Sequence, residues 1–423
     1  VEPKAVGVEN FLEEKLNLKW AKDRNVAIAP NGAMFKRDKQ GFLPELMEKM
    51  YTERVVYKKK AIEAKKEFQK TKDPIYSNEI SRCHNIQMAK KISLNSAYGA
   101  IGNQYFRYFD VKQAEAITLG GQLSIRWVER DVNRFMNKLL GTDNKNYVVA
   151  SDTDSIYLKL DTLVEKVCKG KSTKQIVEFL NKAAEDKIQK VIDDSYQNLA
   201  HYVNAYQQKM IMKREAIANK GIWVAKKRYM MNVFDEEGIR FDIPKLKIMG
   251  VEAVKSSTPE VCRGKIKDAI RVIMNDSEDA LIKFVNDFKE VFKTLSPEEV
   301  AFPRSCNNIN RYVDSNSIYK KGTPIHVKGA LIYNHNINKH RLSAKYPIIK
   351  DGDKIKFLML KQPNTVKDTV ISFSTKIPYE FDLHKYVDYD TQFEKTFTDP
   401  LRFILDSIGW KLEREATLEA FFG

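Results

Sequence analysis

From Leu43 to about Lys70, apolar residues recur at helical intervals (Leu43, Leu46, Met50, Val55, Ile62) within a strongly basic background. Such a stripe predicts one long amphipathic helix. The stretch TKDPIYSN (71–78) interrupts it at Pro74, and a second helix is expected from about Glu79 to Gly99 or Gly102. The short connection makes the pair antiparallel, so the two helices predict a protruding basic hairpin rather than a core. Residues 117–141 read differently. Ile117, Gly121, Ile125, Val128, Val132, Phe135 and Leu139 repeat at helical spacing, with Gly141 as a stop, which predicts a buried packing helix. Alternation predicts strands around 147–160 and again over 221–235. Residues 1–40 read as irregular chain with turn signals at Asn31-Gly32 and Gln40-Gly41. After Val254 a helix is expected with Thr258 as N-cap and Pro259 at its first position. Ser277 and Ser296 predict further caps, and a final helix of about 399–408 ends at Gly409.

Composition narrows the class. A chain of 423 residues predicts two or three subdomains, and a hydrophobic fraction of 43% is that of a globular protein with a sizeable core. No apolar run approaches the ~20 residues needed to span a bilayer, so no membrane partner is expected. The formal net charge of +16 points to a polyanion, with nucleic acid ahead of a membrane surface. Cys83, Cys168, Cys262 and Cys306 are far apart and form no CxxC pair. That argues against a zinc site and fits a reducing, cytoplasmic compartment. The chain begins at Val1 with no signal peptide, from which a cut or processed start is expected.

Candidate chemistry begins at VVASDTDSIYLKL (148–160), where Asp152 and Asp154 stand one residue apart at the tip of an expected hairpin. Turn residues of this kind arise without function, because Asp bonds its own backbone. Calcium of the EF-hand type is disfavoured, since neither the glycine at loop position six nor the glutamate at twelve is present. An Asp-x-Asp pair also holds the nucleotide diphosphate in metal-dependent sugar transferases. Hard carboxylate oxygens suit Mg²⁺, and two such ions roughly 4 Å apart stabilise both oxygens of an in-line displacement. The motif alone does not choose among these.

A second group lies in KKISLNSAYGAIGNQYFRYFD (90–110). Lys91, Asn95 and Tyr98 are spaced i, i+4, i+7 on one helix face. A lysine, an amide and an aromatic ring in a row suit a triphosphate, a sugar and a base. Gly99 and Gly102 allow close backbone approach. The bland alternative is a surface helix with a solvated lysine and a core tyrosine.

KxxxNSxYG followed by DTDS and then KKRY resembles the family B DNA polymerases of the T-even bacteriophage type. PNGAMF, FRYFD, KREAI, KLKIMG and SSTP occur in the family's order, so the likeness covers nearly the whole chain. The resemblance implies an α+β right-hand polymerase: a palm with an antiparallel sheet, helical-hairpin fingers and a mainly helical thumb. Its divisions would be 1–40 (palm-proximal), 41–103 (fingers, with an abbreviated tip), 104–250 (palm) and 251–423 (thumb and tail). It implies Asp154 as the carboxylate bridging two Mg²⁺ ions, which Mn²⁺ would replace, with Asp152 as a supporting acid. Lys91 would contact the nucleotide phosphates and protonate pyrophosphate, with Asn95 one turn away on the same face. Tyr98 would pack near the nascent base pair, and Gly99 would leave the template base room. Arg54 and Lys58 on the facing helix match the clamp for the β- and γ-phosphates.

By the same likeness, Lys226, Lys227, Arg228 and Tyr229 of AKKRY hold the primer end. A strand period through that segment would put Lys227 and Tyr229 on one face and Lys226 and Arg228 on the other. Glu215 matches an acid near the metals, whereas Lys213 stands where relatives carry aspartate. Leu418, Phe421 and Phe422 in ATLEAFFG resemble a tail that docks onto a sliding clamp. The family's DxxSLYPS aspartate and 3′–5′ exonuclease are not found in the sequence. A separate or removed N-terminal portion is therefore expected to complete the site, and the sheet beside the DTD hairpin is expected to show an open edge. The expected partners are primer-template DNA, deoxynucleoside triphosphates, the clamp and that N-terminal portion, in a host cytoplasm. The alternative is a non-catalytic DNA-binding subunit.

Overall fold

The computed structural model describes residues 6–314 and 317–412. It is a mixed helix-and-sheet protein with small antiparallel sheets, divided into two compact units. The first comprises Val1–Ile217 and Phe234–Asp242, the second Ala218–Val233 and Ile243–Gly423.

The first unit opens with α1 (Val8–Leu12), α2 (Lys19–Asp23) and a small hairpin of β1 (Val26–Ile28) and β2 (Met34–Lys36). From Val8 on, the segment expected to be irregular thus carries regular elements. Asn31-Gly32 makes the turn, Gly32 taking a φ of 81°, whereas Gly41 has φ −71° and is simply the N-cap of the next helix. That helix, α3 (Phe42–Thr71), runs antiparallel to α4 (Pro74–Ile101). The break between them is two residues rather than eight. Pro74 starts α4 instead of ending a segment, because its missing N–H costs nothing at the first helical position. Asp73 accepts from the Ile75 N–H at 2.9 Å to cap the helix. Small residues Ala61 and Ala64 of α3 and Cys83 of α4 are buried, and an ion pair between Glu53 and Lys90 joins the two helices.

Helix α5 (Val111–Leu140) begins where Asp110 accepts from the N–H groups of Lys112 and Gln113 at 2.9 and 3.3 Å. It ends at Gly141, φ 64°. Val128, Val132 and Met136 are fully buried, each such side chain contributing roughly 1.5–3 kcal/mol. Ile117 and Leu139, placed on the buried face by spacing, are instead about half exposed, at 50% and 53%. A helix of this length outruns the core it packs on. Next come β3 (Val148–Asp152), β4 (Ser155–Leu158), α6 (Asp161–Val167), α7 (Thr173–Ala183) and α8 (Gln189–Tyr202), a π-helical stretch (Ala184–Ile188) joining the last two. β3 and β4 pair antiparallel as a two-stranded sheet. Two cores hold this unit: Val128, Val132, Met136, Tyr147, Ile192 and Tyr196 in one, and Phe11, Ile28, Leu123 and Trp127 in the other.

Strands β5 (Ala216–Ala225), β6 (Arg228–Glu236) and β7 (Ile239–Met249) form a three-stranded sheet in that order and contribute residues to both units. The second unit continues with α9 (Glu260–Asn275), α10 (Glu278–Thr294), α11 (Pro297–Val300) and β8 (Phe302–Ser305). It then runs through α12 (Ile325–Lys339), β9 (Lys354–Met359), β10 (Val370–Phe373), α13 (Tyr389–Phe393) and α14 (Asp399–Leu405). α9 starts one residue later than expected, with Pro259 rather than Thr258 at the cap and Thr258 buried. Ser277 caps α10, and Ser296 forms a capping box with Glu299. Strands β10, β9 and β8 pair antiparallel, and α12 lies against β10. Gly329 permits that approach, since a Cβ there would stand 2.5 Å from Ser372 Oγ. One continuous core, including Ile270, Phe292, Ile332, Phe373 and Leu401, fills the unit.

Candidate active site

The two acids sit on a two-residue bend of the first unit. Asp152 pairs in register with Ser155, leaving only Thr153 and Asp154 to reverse the chain. The Asp154 N–H donates to the Asp152 carbonyl at 2.6 Å, and Thr153 takes φ 58°. A bond from residue i+2 back to i around a positive-φ centre is a γ-turn, the rarer and strained kind. A β-branched residue there is an outlier and costs roughly 1–2 kcal/mol. The turn is laced from within: Thr153 Oγ1 donates to Asp152 Oδ1 at 2.9 Å, and Ser155 Oγ donates to the Asp152 carbonyl at 3.2 Å. Asp152 is half-buried and Asp154 exposed. Burial, and then the Asp154 carboxylate, push the Tyr196 phenol on α8 above its ordinary value, so the charge of Asp154 is felt at the edge of the core. The turn offers two hard carboxylates, a donor type that suits a divalent cation retaining waters. Among the described residues no cluster of three or more His, Cys, Asp or Glu side chains gathers to complete such a site.

The second group lies on the helical hairpin. Lys91, Asn95 and Tyr98 are all exposed on α4, Tyr98 by 43%. Their side chains make no hydrogen bond or ion pair among the described residues, so the face is not used by the fold itself. A Cβ on Gly99 would meet nothing within 4 Å; packing does not demand glycine there. Glu53 pairs with Lys90 across the hairpin, and Arg54 and Lys91 are the residues next to that pair in sequence. Arg54 is half-buried, with its Nε enclosed and unpartnered. Lys58 is committed to an ion pair with Glu237, at the tip of β6–β7. The structure therefore gathers Arg54, Lys58 and Lys91 on one hairpin and Asp152 and Asp154 on one turn. The Asp154 side chain makes no ion pair with the hairpin.

Glu215 is exposed at the entry to β5, and its carbonyl accepts the Glu237 N–H at 2.7 Å. Lys213, beside it, is exposed as well. Between them Arg214 turns inward to Asp235, which is fully buried. Spacing missed Asp235 and Glu237; the available signal was Glu237-Gly238, a two-residue hairpin pair of the left-handed kind.

In the second unit, AKKRY is not one strand. Lys226 and Lys227 form the turn between β5 and β6, with Lys227 at φ 62°. The two-face reading of this segment therefore fails, because period-two alternation does not continue through a bend. The bend is wedged in place: a Cβ on Gly250 would stand 2.2 Å from the Lys227 carbonyl oxygen. Lys226 and Lys227 are exposed at its tip. Arg228 pairs with Glu252 at 2.5 Å and lies over the Phe403 ring at 5.2 Å. Tyr229 is only 7% exposed and stacks on Trp223 at 6.0 Å. Leu418, Phe421 and Phe422 lie outside the described residues.

The first unit thus carries a strained acidic turn and a long basic helical hairpin. Residues 7–188 match the family DNA polymerase family B, and the chain belongs to it. It is of the phage T4 type. It is 32% identical, over 93% of its length, to the DNA-directed DNA polymerase of Enterobacteria phage T4, covering 50% of that protein. To the DNA-directed DNA polymerase of Escherichia phage RB69 it is also 32% identical, covering 49%. The DNA polymerase 1 of Pyrococcus abyssi is 26% identical over 97% of the chain, which covers 44% of it. The chain thus spans about half the length of these relatives. No helix among the described residues is long and apolar enough to cross a membrane.

Proposed function

We propose that this chain is the nucleotide-adding portion of a family B DNA polymerase. It would work with a further portion that supplies a third carboxylate beside the DTD turn and an exonuclease. Four features support this: the strained placement of Asp152 and Asp154, the unused Lys91–Asn95–Tyr98 face, the net charge of +16, and the named activity of the phage relatives. The observation that carries it is the turn, because a β-branched residue held at positive φ between two like charges is costly in a site without function.

In this reading Asp154 and Asp152 would hold two Mg²⁺ ions, which when bound would supply charge neutralisation at the attacking and leaving oxygens. The chain's own residues bind and orient. Arg54, Lys58 and Lys91 receive the triphosphate, Lys91 donating a proton toward the departing pyrophosphate. Tyr98 and Asn95 flank the incoming nucleotide, and Gly99 leaves open space for the template base. The exposed tip Lys226–Lys227, with Arg228 and Tyr229 behind it, grips the primer through contacts that carry no sequence information. Glu215 stands as an acid near the reacting end. The α3–α4 hairpin then serves as fingers, the DTD and KKRY segments as palm and residues 251–423 as thumb. Residues 417–423 would dock a sliding clamp, in a host cytoplasm.

The two-stranded sheet carrying the turn supports a missing neighbour, since an isolated pair of strands is marginal by itself. The lack of a third acid among the described residues also favours a second reading, a non-catalytic DNA-binding subunit. Mixing the chain with a polypeptide carrying the DxxSLYPS segment separates the two. Primer extension with Mg²⁺ is expected, lost in Asp154→Ala with duplex affinity retained. A mixture that never extends a primer leaves only the binding subunit, and equal loss of extension and affinity makes Asp154 structural.

A further inference from the structure

The β6–β7 tip is built around a buried charge. Asp235 Oδ1 accepts from the Gly238 N–H at 3.0 Å and from Arg214, while Arg240 Nε lies 2.6 Å from Oδ2. Glu237 and Gly238 take φ values of 52° and 82°, the consecutive left-handed pair that matches strand twist in a two-residue hairpin. The Glu237 N–H is tied to the Glu215 carbonyl at 2.7 Å. A turn fixed at these points has little freedom, yet it directs one charged side chain at another element. The Glu237 carboxylate pairs with Lys58 on α3. About two helical turns further on, Lys66 Nζ stands 3.3 Å from where a Cβ on Gly238 would be. The helix therefore rests on the tip along its basic side.

We propose that Glu237 is a positioning residue for Lys58. It occupies the ammonium and seats α3 on the β6–β7 tip, and the triphosphate of an incoming nucleotide displaces it. The inference rests on the reading of Lys58 as a phosphate ligand. The Lys58 and Glu237 side chains are 44% and 29% exposed, so the pair is of the weak, partly solvated kind. Lys58 offers a compact charge with three donors. A triphosphate, with several charges and many acceptor oxygens, takes that charge from a single carboxylate. Arg54, one turn earlier, has its Nε unpartnered, so the displaced lysine would not act alone. A pair weak enough to exchange but rigid on one side holds the helix without locking it.

The test is a binding titration of a fluorescent deoxynucleoside triphosphate with Mg²⁺ on the whole chain, in wild type, E237Q, K58A and E237Q/K58A. Glu237→Gln keeps the shape and removes the charge. E237Q is expected to bind about threefold tighter, within the range of an exposed pair, and to have no effect in the K58A background. Deuterium uptake across residues 52–66 is expected to rise in E237Q. Equal affinities of E237Q and wild type, with K58A weaker, overturn the inference alone. Equal tightening in the K58A background also overturns it, reducing Glu237 to a general field. Unchanged deuterium uptake removes the seating role. If the wild type does not bind, or K58A binds as well as wild type, the phosphate-ligand reading of Lys58 itself fails and the inference falls with it.

Discussion

Asp235→Asn isolates the contribution of the one fully buried carboxylate in the β6–β7 hairpin. The substitution conserves volume and still offers an acceptor to the Gly238 N–H, so what it removes is charge. Two guanidinium groups then lose their counter-ion. Arg214, with a side chain 15% exposed, has one other partner, Asn181 Oδ1 at 2.6 Å, and its Nε is enclosed without any. Arg240 is 39% exposed and also contacts Glu178 at 3.1 Å, so it can turn to water. Removing one partner of a buried pair costs about 3–5 kcal/mol, and the freedom of Arg240 places this case near about 3 kcal/mol. For a unit of this size each kcal/mol moves the midpoint by about 2–4 °C, which predicts a loss of about 6–12 °C. Calorimetry is the assay, because a chain of two units need not melt in one step and only the transition of the first should shift. D235N/R214A should lose little more than D235N, since the two act as one network. A fall below about 2 °C, or additive losses, would refute the idea that Asp235 anchors the tip.

Three other outcomes follow from the same geometry. Thr153→Gly removes the positive-φ strain of roughly 1–2 kcal/mol and should raise the melting temperature while slowing primer extension. A variant that is both more stable and equally active would show the strain to be idle. The Tyr196 phenol is held above 10.0 by burial first and by Asp154 second. Its stabilising contribution is thus complete below about pH 10 and is lost as pH climbs through the folded value. Asp154→Asn, or a divalent cation on the wild-type turn, should lower that value partway, read by ultraviolet titration; no change on adding Mn²⁺ would mean that no cation binds there. Lys91→Ala should weaken nucleotide binding more than duplex binding, and equal losses would return α4 to a merely basic surface.

The long helices are legible in the sequence because their signals are local: apolar intervals, an Asp cap and a glycine stop. The start of α4 is less so, since Pro74 is read equally well as a breaker and as a first residue, and only the bond from the Ile75 N–H to Asp73 decides. Period-two alternation over 221–235 does not distinguish one strand from two joined at Lys226–Lys227, because the wedge that fixes the bend comes from Gly250. Ile117 and Leu139 carry the right spacing for burial but extend past the core. Of the candidate site, the placement of Asp152 and Asp154 at a hairpin turn and of Lys91, Asn95 and Tyr98 on an exposed helix is legible from type and spacing. Asp235 is not, since its burial depends on Arg214 and Arg240, which lie outside its local window. Thr153 is not, because threonine avoids the conformation it holds.

That last point bears on why the turn exists at all. A glycine or asparagine at 153 would make the same reversal more cheaply, and an uncharged pair at 152 and 154 would avoid repulsion. The chain instead has a stiff residue whose hydroxyl is bonded to Asp152 Oδ1, and that bond orients one carboxylate while the other is exposed. Stiffness, orientation and like charge are each unfavourable to a plain hairpin and each useful to a site that must receive a cation in one geometry. On the proposed reading, the strain and the repulsion would be offset together by a single event, the arrival of positive charge between Asp152 and Asp154. A turn selected only to join β3 to β4 would have had reason to avoid both.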